Sequence, residues 1–173
     1  IGYGGFIAGH LLARKNCFAA GAIISGLTNP ATAYGTCKGI TLSQNAISDD
    51  FSMMDHLSRL TKESVVYHCD DIHTPLLLLH GFHDEIYGFE QAEQLFTSIK
   101  ERQPQSEIRM VVFPTGDDNL AEDPDCKEKY FEELIDKMKS EKGVTQDVDL
   151  TADDLKVLAE QFLSLIHISE PTR

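Results

Sequence analysis

The sequence has no tryptophan, and none of its apolar runs approaches the roughly 18 residues that a membrane-spanning helix requires. Its longest core-like stretches are Ala19–Ile24 and Leu76–Leu79. The four cysteines, Cys17, Cys37, Cys69 and Cys126, are too widely spaced for a C-x-x-C redox or metal pair. With no secretory signal in front of them, a disulfide framework is not expected. Reduced, partly buried thiols are the expectation, and a cytoplasmic setting follows from it. Positive charge is also scarce, since 15 Lys and Arg face 28 Asp and Glu, for a formal net charge of -13. Nucleic acid and anionic membranes repel such a polyanion, so neither is an expected partner. Low-complexity segments and internal repeats are missing too.

What remains is a chain of 173 residues, 42% apolar, in the range of one soluble globular domain. Its charge is lopsided. Residues 1–60 carry four cations and three anions, against eleven and twenty-five in residues 61–173. A nearly uncharged, Gly-rich first third reads as the interior of a fold. The chain also begins at Ile1 rather than Met, and the expectation is a fragment.

Hydrophobic spacing predicts the elements. A helix follows Gly4-Gly5, with Phe6, Ile7, Leu11 and Leu12 as its buried face, and ends near Arg14–Asn16. Ala19–Ser25, bounded by Gly26 and Asn29-Pro30, suits a buried strand. Residues 27–48 read as a long connection with room for a short helix, and Asp50 as the cap of a helix through Met53, Met54, Leu57 and Leu60. Leu76–His80, closed by Gly81, is a second strand, and Gly88–Gln103 a helix with Phe89, Ala92, Leu95, Phe96 and Ile99 inward. Ile108–Phe113 is a third strand, stopped by Pro114. Pro124–Lys142 is an amphipathic helix with Tyr130, Phe131, Leu134, Ile135 and Met138 inward, and Thr151 caps a last one. Alternating strands and helices, with apolar rather than alternating strands, predict an α/β fold: a parallel sheet covered on both faces. Three parallel strands alone leave a long apolar edge, so further strands are expected before Ile1.

The chemistry-bearing segment is Tyr3-Gly4-Gly5-Phe6, preceded by Gly2. It has the shape of a nucleophile elbow, G-x-S-x-G, in which a strand turns sharply into a helix and holds the nucleophile in a strained backbone conformation. The glycine two residues past the nucleophile lets strand and helix approach; if that is Gly4, the nucleophile position is Gly2. Here the chain resembles the prolyl oligopeptidase family of serine peptidases, including its acylaminoacyl-peptidase branch, whose elbow reads G-x-S-Y-G-G-[FY]. Thr74-Pro75-Leu76-Leu77-Leu78-Leu79-His80-Gly81-Phe82-His83-Asp84 is similar to the family's T-P-L-L-L-x-H-G-x-x-D, which ends in the triad acid. Glu90–Phe96 is similar to the helix after that loop, and Ile108–Pro114 to the strand leading to the triad histidine. The resemblance covers residues 2 to 142 and implies the C-terminal half of an α/β-hydrolase fold, with peptides or acyl-peptides as the family's substrates.

Carried over position by position, the resemblance makes Asp84 the acid and the Tyr3 N–H half of an oxyanion hole. Gly2 stands where the serine is expected. Counting from Phe113-Pro114, Asp118 stands at the histidine position, and Asp117 and Asn119 beside it supply no imidazole either. Glycine tolerates the strained elbow without a Cβ, so the turn persists while the hydroxyl is gone. A chain with little or no hydrolytic activity is therefore expected, and the alternative reading is a pseudoenzyme that keeps the cleft as a peptide-binding or partner-docking surface. His83 beside Asp84 reads as a polar loop residue rather than a substitute base, and His80 as a strand-end histidine. His10 reads as a packed or partly exposed helix residue. Ser25, Ser43 and Ser64 lack an elbow and read as ordinary turn or cap serines. His80, His83, Asp84 and Glu85 have no second ligand cluster, and the acidic stretch Asp117–Asp125 does not fit a calcium loop, so neither metal nor cofactor is expected. Three segments follow: residues 1–142, the partial catalytic domain; residues 143–162, a helical extension without a motif; and residues 163–173, which resemble the conceptual translation of a transposase adapter used in sequencing libraries.

Overall fold

Four leucines in a row build the centre of the molecule. In the computed structural model, which describes residues 1–15, 17–34, 36–38 and 53–141, Leu76–Gly81 forms strand β2, buried along its whole length. Alternation along the strand sends Leu76 and Leu78 into one apolar layer and Leu77 and Leu79 into the other. β1 (Gly21–Ile24) pairs with β2 in parallel, Ile24 opposite Leu79. β3 (Ile108–Phe113) pairs in parallel on the other side, Leu79 opposite Val111, giving the order β1-β2-β3. A central parallel strand has no solvent face, which is why its sequence is an unbroken apolar run.

The first layer is closed by α1 (Tyr3–Arg14), a 3-10 helix (Val65–Asp71) and α4 (Glu90–Arg102), which meet around Leu12, Ile23, Val65, Leu95 and Ile99. The second is closed by α5 (Lys127–Glu141) through Tyr130, with Phe131 and Leu134 packed at its margin. Burial pushes the Tyr130 phenol up to about 12. Between β1 and β2 lie α2 (Pro30–Ala33) and α3 (Met53–Glu63). Asn29 caps α2, its side chain accepting from the Thr32 N–H, with Pro30 in the first turn where a missing N–H costs nothing.

The order of elements follows the sequence reading, with two corrections: the strand expected buried over Ala19–Ser25 is the shorter edge strand Gly21–Ile24, with Ala22 exposed, and α1 turns a different face inward. Ile7 and Leu11, expected inside, are 51% and 47% exposed, and the helix faces the core through Gly5, Gly9 and Leu12 instead. The two glycines, one helical turn apart, let the helix approach Ile23 and Gly26 at Gly5 and the 3-10 helix at Gly9. A Cβ on Gly5 would lie 2.8 Å from the Gly26 Cα, and one on Gly9 would lie 2.6 Å from Val65 Cγ1. Apolar spacing alone marked the bulkier face and passed over the glycines. The 3-10 helix was not foreseen; the Ser64 hydroxyl before it donates to the Leu60 carbonyl and to Asn29 Oδ1, as a local turn serine does. The expected caps Asp50 and Thr151, Ser43, and the segments 143–162 and 163–173 lie outside the described residues, as do the side chains of Ile135 and Met138.

Candidate active site

At Gly2 the backbone takes φ 54° and ψ -126°, a conformation that an L-residue adopts only under strain, and α1 starts at the next residue. Hydrogen bonds fix this turn on both sides. The Gly2 N–H donates to the carbonyls of Ile24 and Ser25, at 3.2 and 3.1 Å, and the Gly2 carbonyl accepts from the N–H groups of Gly5 and Leu27, at 3.0 and 3.1 Å. Gly2 thereby bridges Gly26 in parallel, continuing the sheet one position beyond β1. A bridge residue at positive φ that leads straight into a helix is the kind of turn expected of a nucleophile elbow, and here it carries no side chain. The close approach it needs is made by Gly5 against Gly26. Gly4, to which the sequence reading gave that part, has open space where its Cβ would be. The Tyr3 N–H lies in the first turn of α1, where amides have no carbonyl one turn back to bind and stand available to an incoming oxygen.

Ser25, read from sequence as an ordinary serine, lies directly beside the elbow. Its φ is 43°, it is 2% exposed, and its Oγ is buried without a hydrogen-bond partner. It is the one non-glycine residue with positive φ among those described. No sequence signal distinguishes such a serine from a surface turn. Its position depends on where β1 stops against β2, and its N–H donates to the Leu79 carbonyl there.

Asp84 sits three residues beyond β2, 5% exposed. One oxygen, Oδ1, accepts from the backbone N–H groups of Ile86 and Tyr87, each at 2.9 Å, which locks the loop around the carboxylate. The other, Oδ2, lies 3.1 Å from His80 Nε2 but makes no hydrogen bond, because that nitrogen is engaged at 2.6 Å with the Tyr87 carbonyl. His80 is buried at the end of β2 and ties down the acid loop. His83 is exposed, stacks edge-on against Phe82, and makes no contact with Asp84 among those observed.

The loop after β3 lies against the acid loop. The His83 N–H donates to the Gly116 carbonyl, and a Cβ on Gly81 would collide with the carbonyls of Gly116 and Asp117, at 2.5 and 2.2 Å. Glycine at 81 is what lets the two loops meet. Asp118 is thereby brought near Asp84. Although Asp118 is exposed, partial desolvation pushes its carboxyl above the usual range, opposed by a backbone hydrogen bond and aided by the charges of Asp84 and Asp117. The elbow completes the cluster through Tyr87, whose ring lies 3.2 Å from where a Gly2 Cβ would be. Gly2 and Tyr3, and the loops that carry Asp84 and Asp118, lie beyond the C-terminal ends of the strands, where open parallel sheets carry their sites. Among the described residues, no group of three His, Cys, Asp or Glu side chains is placed to hold a metal.

A family model described as the prolyl oligopeptidase family matches residues 1–135. The chain belongs to the prolyl oligopeptidase family. Its sheet and helices are the corresponding part of an α/β-hydrolase fold. The uncharacterized peptidase YuxL of Bacillus subtilis is 30% identical over 120 residues, covering 69% of this chain and 18% of that protein. The acylaminoacyl peptidase of Pyrococcus horikoshii superposes with a TM-score of 0.70 at 19% identity, over 90% of this chain and 25% of that one. This chain thus spans a quarter or less of these relatives. A separate, local likeness of 70% over 33 residues links it to the pyruvate, phosphate dikinase of Clostridium symbiosum, covering 19% of this chain and 4% of that protein. No helix among the described residues is long and apolar enough to cross a membrane.

Gln91 is a positioning residue that the sequence reading placed in a family-like helix without a task. It is 2% exposed. Its Oε1 accepts from the Thr28 and Asn29 N–H groups, at 3.2 and 2.8 Å, and its carbonyl accepts from the Thr28 hydroxyl. It fixes the backbone leaving β1 to the helix that follows the acid loop.

Proposed function

We propose that this chain is the C-terminal part of a serine-peptidase domain whose acyl-transfer chemistry is lost, leaving little or no hydrolysis of peptides or esters. In a working triad, a serine oxygen attacks the acyl carbon, a histidine takes its proton, and an aspartate fixes the imidazole. The Tyr3 N–H would stabilise the oxyanion, a contribution of a few kcal/mol. Gly2 as nucleophile position, Asp118 as histidine position and Asp84 as acid leave only the last of these roles filled. A carboxylate at 118 cannot pass a proton between nucleophile and leaving group in a family that relies on imidazole. Losing nucleophile or base costs several orders of magnitude in rate, and losing both costs about as much. The observation that supports this reading is the turn at Gly2, held by backbone hydrogen bonds at positive φ directly before α1, at a residue with no side chain.

The test is a serine-directed fluorophosphonate probe applied to this chain and to the longest natural form of the protein. Absence of labelling on both is expected. Labelling of the longer form at a residue within this segment overturns the proposal. A second reading, a pseudoenzyme retaining a peptide-binding surface, is supported by the preserved elbow and the backbone-locked acid. Peptides or N-acylated peptides are its candidate ligands, since an acylaminoacyl peptidase is among the structural neighbours. Saturable binding of such a peptide would support this reading, and flat titrations would remove it.

We further propose the division into residues 1–142, 143–162 and 163–173, with the first alone belonging to the catalytic domain and the last adapter-derived. The family match stops at residue 135. Sequencing genomic DNA across codons 120–173 tests this. A break in the coding sequence is expected, and an uninterrupted frame ending at Arg173 overturns it.

A further inference from the structure

Tyr87 holds the space that a nucleophile side chain would need. Its ring is the one neighbour within 4 Å of a Cβ placed on Gly2, with Cε2 at 3.2 Å and Cδ2 at 3.7 Å. A contact of 3.2 Å is tighter than ordinary carbon packing, about 3.5–4.0 Å, so either the ring or the elbow must yield. Neither is free to do so through its backbone. The Tyr87 N–H is held by Asp84 Oδ1 at 2.9 Å, and its carbonyl by His80 Nε2 at 2.6 Å. Gly2 is held through both its N–H and its carbonyl. The ring therefore rests on the elbow as a consequence of how the acid loop is locked. We propose that Tyr87 is a positioning residue that occludes the nucleophile position, so that a side chain at position 2 and the ring at position 87 compete for one space. This rests on the reading of Gly2 as the nucleophile position. It adds that the site is closed by a filled space as well as by a missing hydroxyl, and that restoring a serine at position 2 is not sufficient to reopen it.

A double-mutant cycle in the full 173-residue chain tests the coupling. Gly2→Ser carries two penalties, positive-φ strain and the ring contact. Strain alone lowers the folding equilibrium constant by about five- to thirty-fold, whatever stands at 87. The ring contact disappears in Tyr87→Val. The penalty of Gly2→Ser, measured by urea denaturation, is expected to be at least about threefold smaller in the Tyr87→Val background than in the parent. A smaller difference overturns the proposal, because a merely structural Tyr87 would add independently. Should the single Gly2→Ser variant fail to fold, folding of the double variant supports the coupling. In the unmutated chain the Gly2 Hα should give nuclear Overhauser effects to the Tyr87 ring protons, and their absence overturns the proposal without any mutation. Fluorophosphonate labelling is a separate readout: labelled protein with an intact coupling would sink the inactive reading and spare this one.

Discussion

Alanine at Gly5 and alanine at Gly4 should have opposite effects although the two glycines are neighbours in one helical turn. Replacing a helical glycine with alanine ordinarily stabilises by about 0.5–1 kcal/mol, through backbone entropy alone. At Gly4 nothing lies within 4 Å of the new methyl, so that gain should be realised in part, and Gly4→Ala is expected to be neutral or slightly stabilising. At Gly5 the methyl would lie 2.8 Å from the Gly26 Cα and 3.0 Å from Ile23 Cγ2. The first of these is backbone, held by the Gly2 bridge, so no rotamer change relieves it. Overpacking of this kind costs about 1–3 kcal/mol, which exceeds the entropic gain. The net loss at Gly5 should be about 1–2 kcal/mol, or roughly 2–8 °C in Tm for a chain of this size. Urea denaturation followed by circular dichroism, with linear extrapolation to water, reads both variants on one scale. Equal destabilisation by the two variants, or a neutral Gly5→Ala, would refute the placement of the helix-strand contact at Gly5 and Gly26.

Gln91→Leu should destabilise the chain by about 2–3 kcal/mol, because the buried Thr28 and Asn29 N–H groups lose their acceptor; a loss below about 0.5 kcal/mol in the same assay would show the clamp to be dispensable. Leu78→Ala, at a fully buried position of the central strand, should cost about 2–5 kcal/mol, and a Tm within about 2 °C of the parent would contradict the packing. Asp118→Asn should raise Tm at neutral pH, where the native state carries a charge disfavoured by burial and by Asp84. Asp118 binds its proton more tightly folded than unfolded, so the parent regains this stability as pH falls through the raised value. The difference should be complete above that value and vanish below about pH 4, near the ordinary aspartate value; a Tm difference unchanged from about pH 7 to about pH 3.5 would refute the coupling.

The strands were legible from short apolar runs bounded by breakers, and only the central one is buried along its whole length. A run of four leucines after Thr-Pro, and Ile108–Phe113 before a proline, admit few other readings. Asp84 was singled out by the resemblance of residues 74–84 to the family's motif, not by hydrophobic spacing. What apolar spacing could not reveal is contact made through the absence of atoms. The stripe of Gly5 and Gly9, the meeting of two loops over Gly81 and the open side of Gly4 all concern space, which a hydrophobicity pattern does not encode. Ser25 is the same problem in backbone form. Its strained φ arises where β1 leaves the sheet beside the elbow, and nothing within Ser25 itself announces it.

That distinction also explains how this site holds its shape. The bonds observed to fix the Gly2 turn are made by backbone N–H and carbonyl groups of residues 1, 2, 4, 5, 24, 25 and 27, and none needs a side chain at position 2. Asp84 is likewise held by backbone amides through one oxygen, while the oxygen with no hydrogen bond, Oδ2, is buried at a cost. Selection for folding alone would preserve the elbow and Oδ1, but would favour an uncharged replacement for a carboxylate whose second oxygen goes unpaired. Asp84→Asn keeps an acceptor for the Ile86 and Tyr87 N–H groups and removes the buried charge. If the site is only scaffold, that variant should equal or exceed the parent in stability at neutral pH. If Oδ2 serves a ligand, the parent should gain Tm on adding an N-acylated peptide and the asparagine variant should not. A variant less stable than the parent, together with a parent that gains no Tm on adding peptide, would refute both readings.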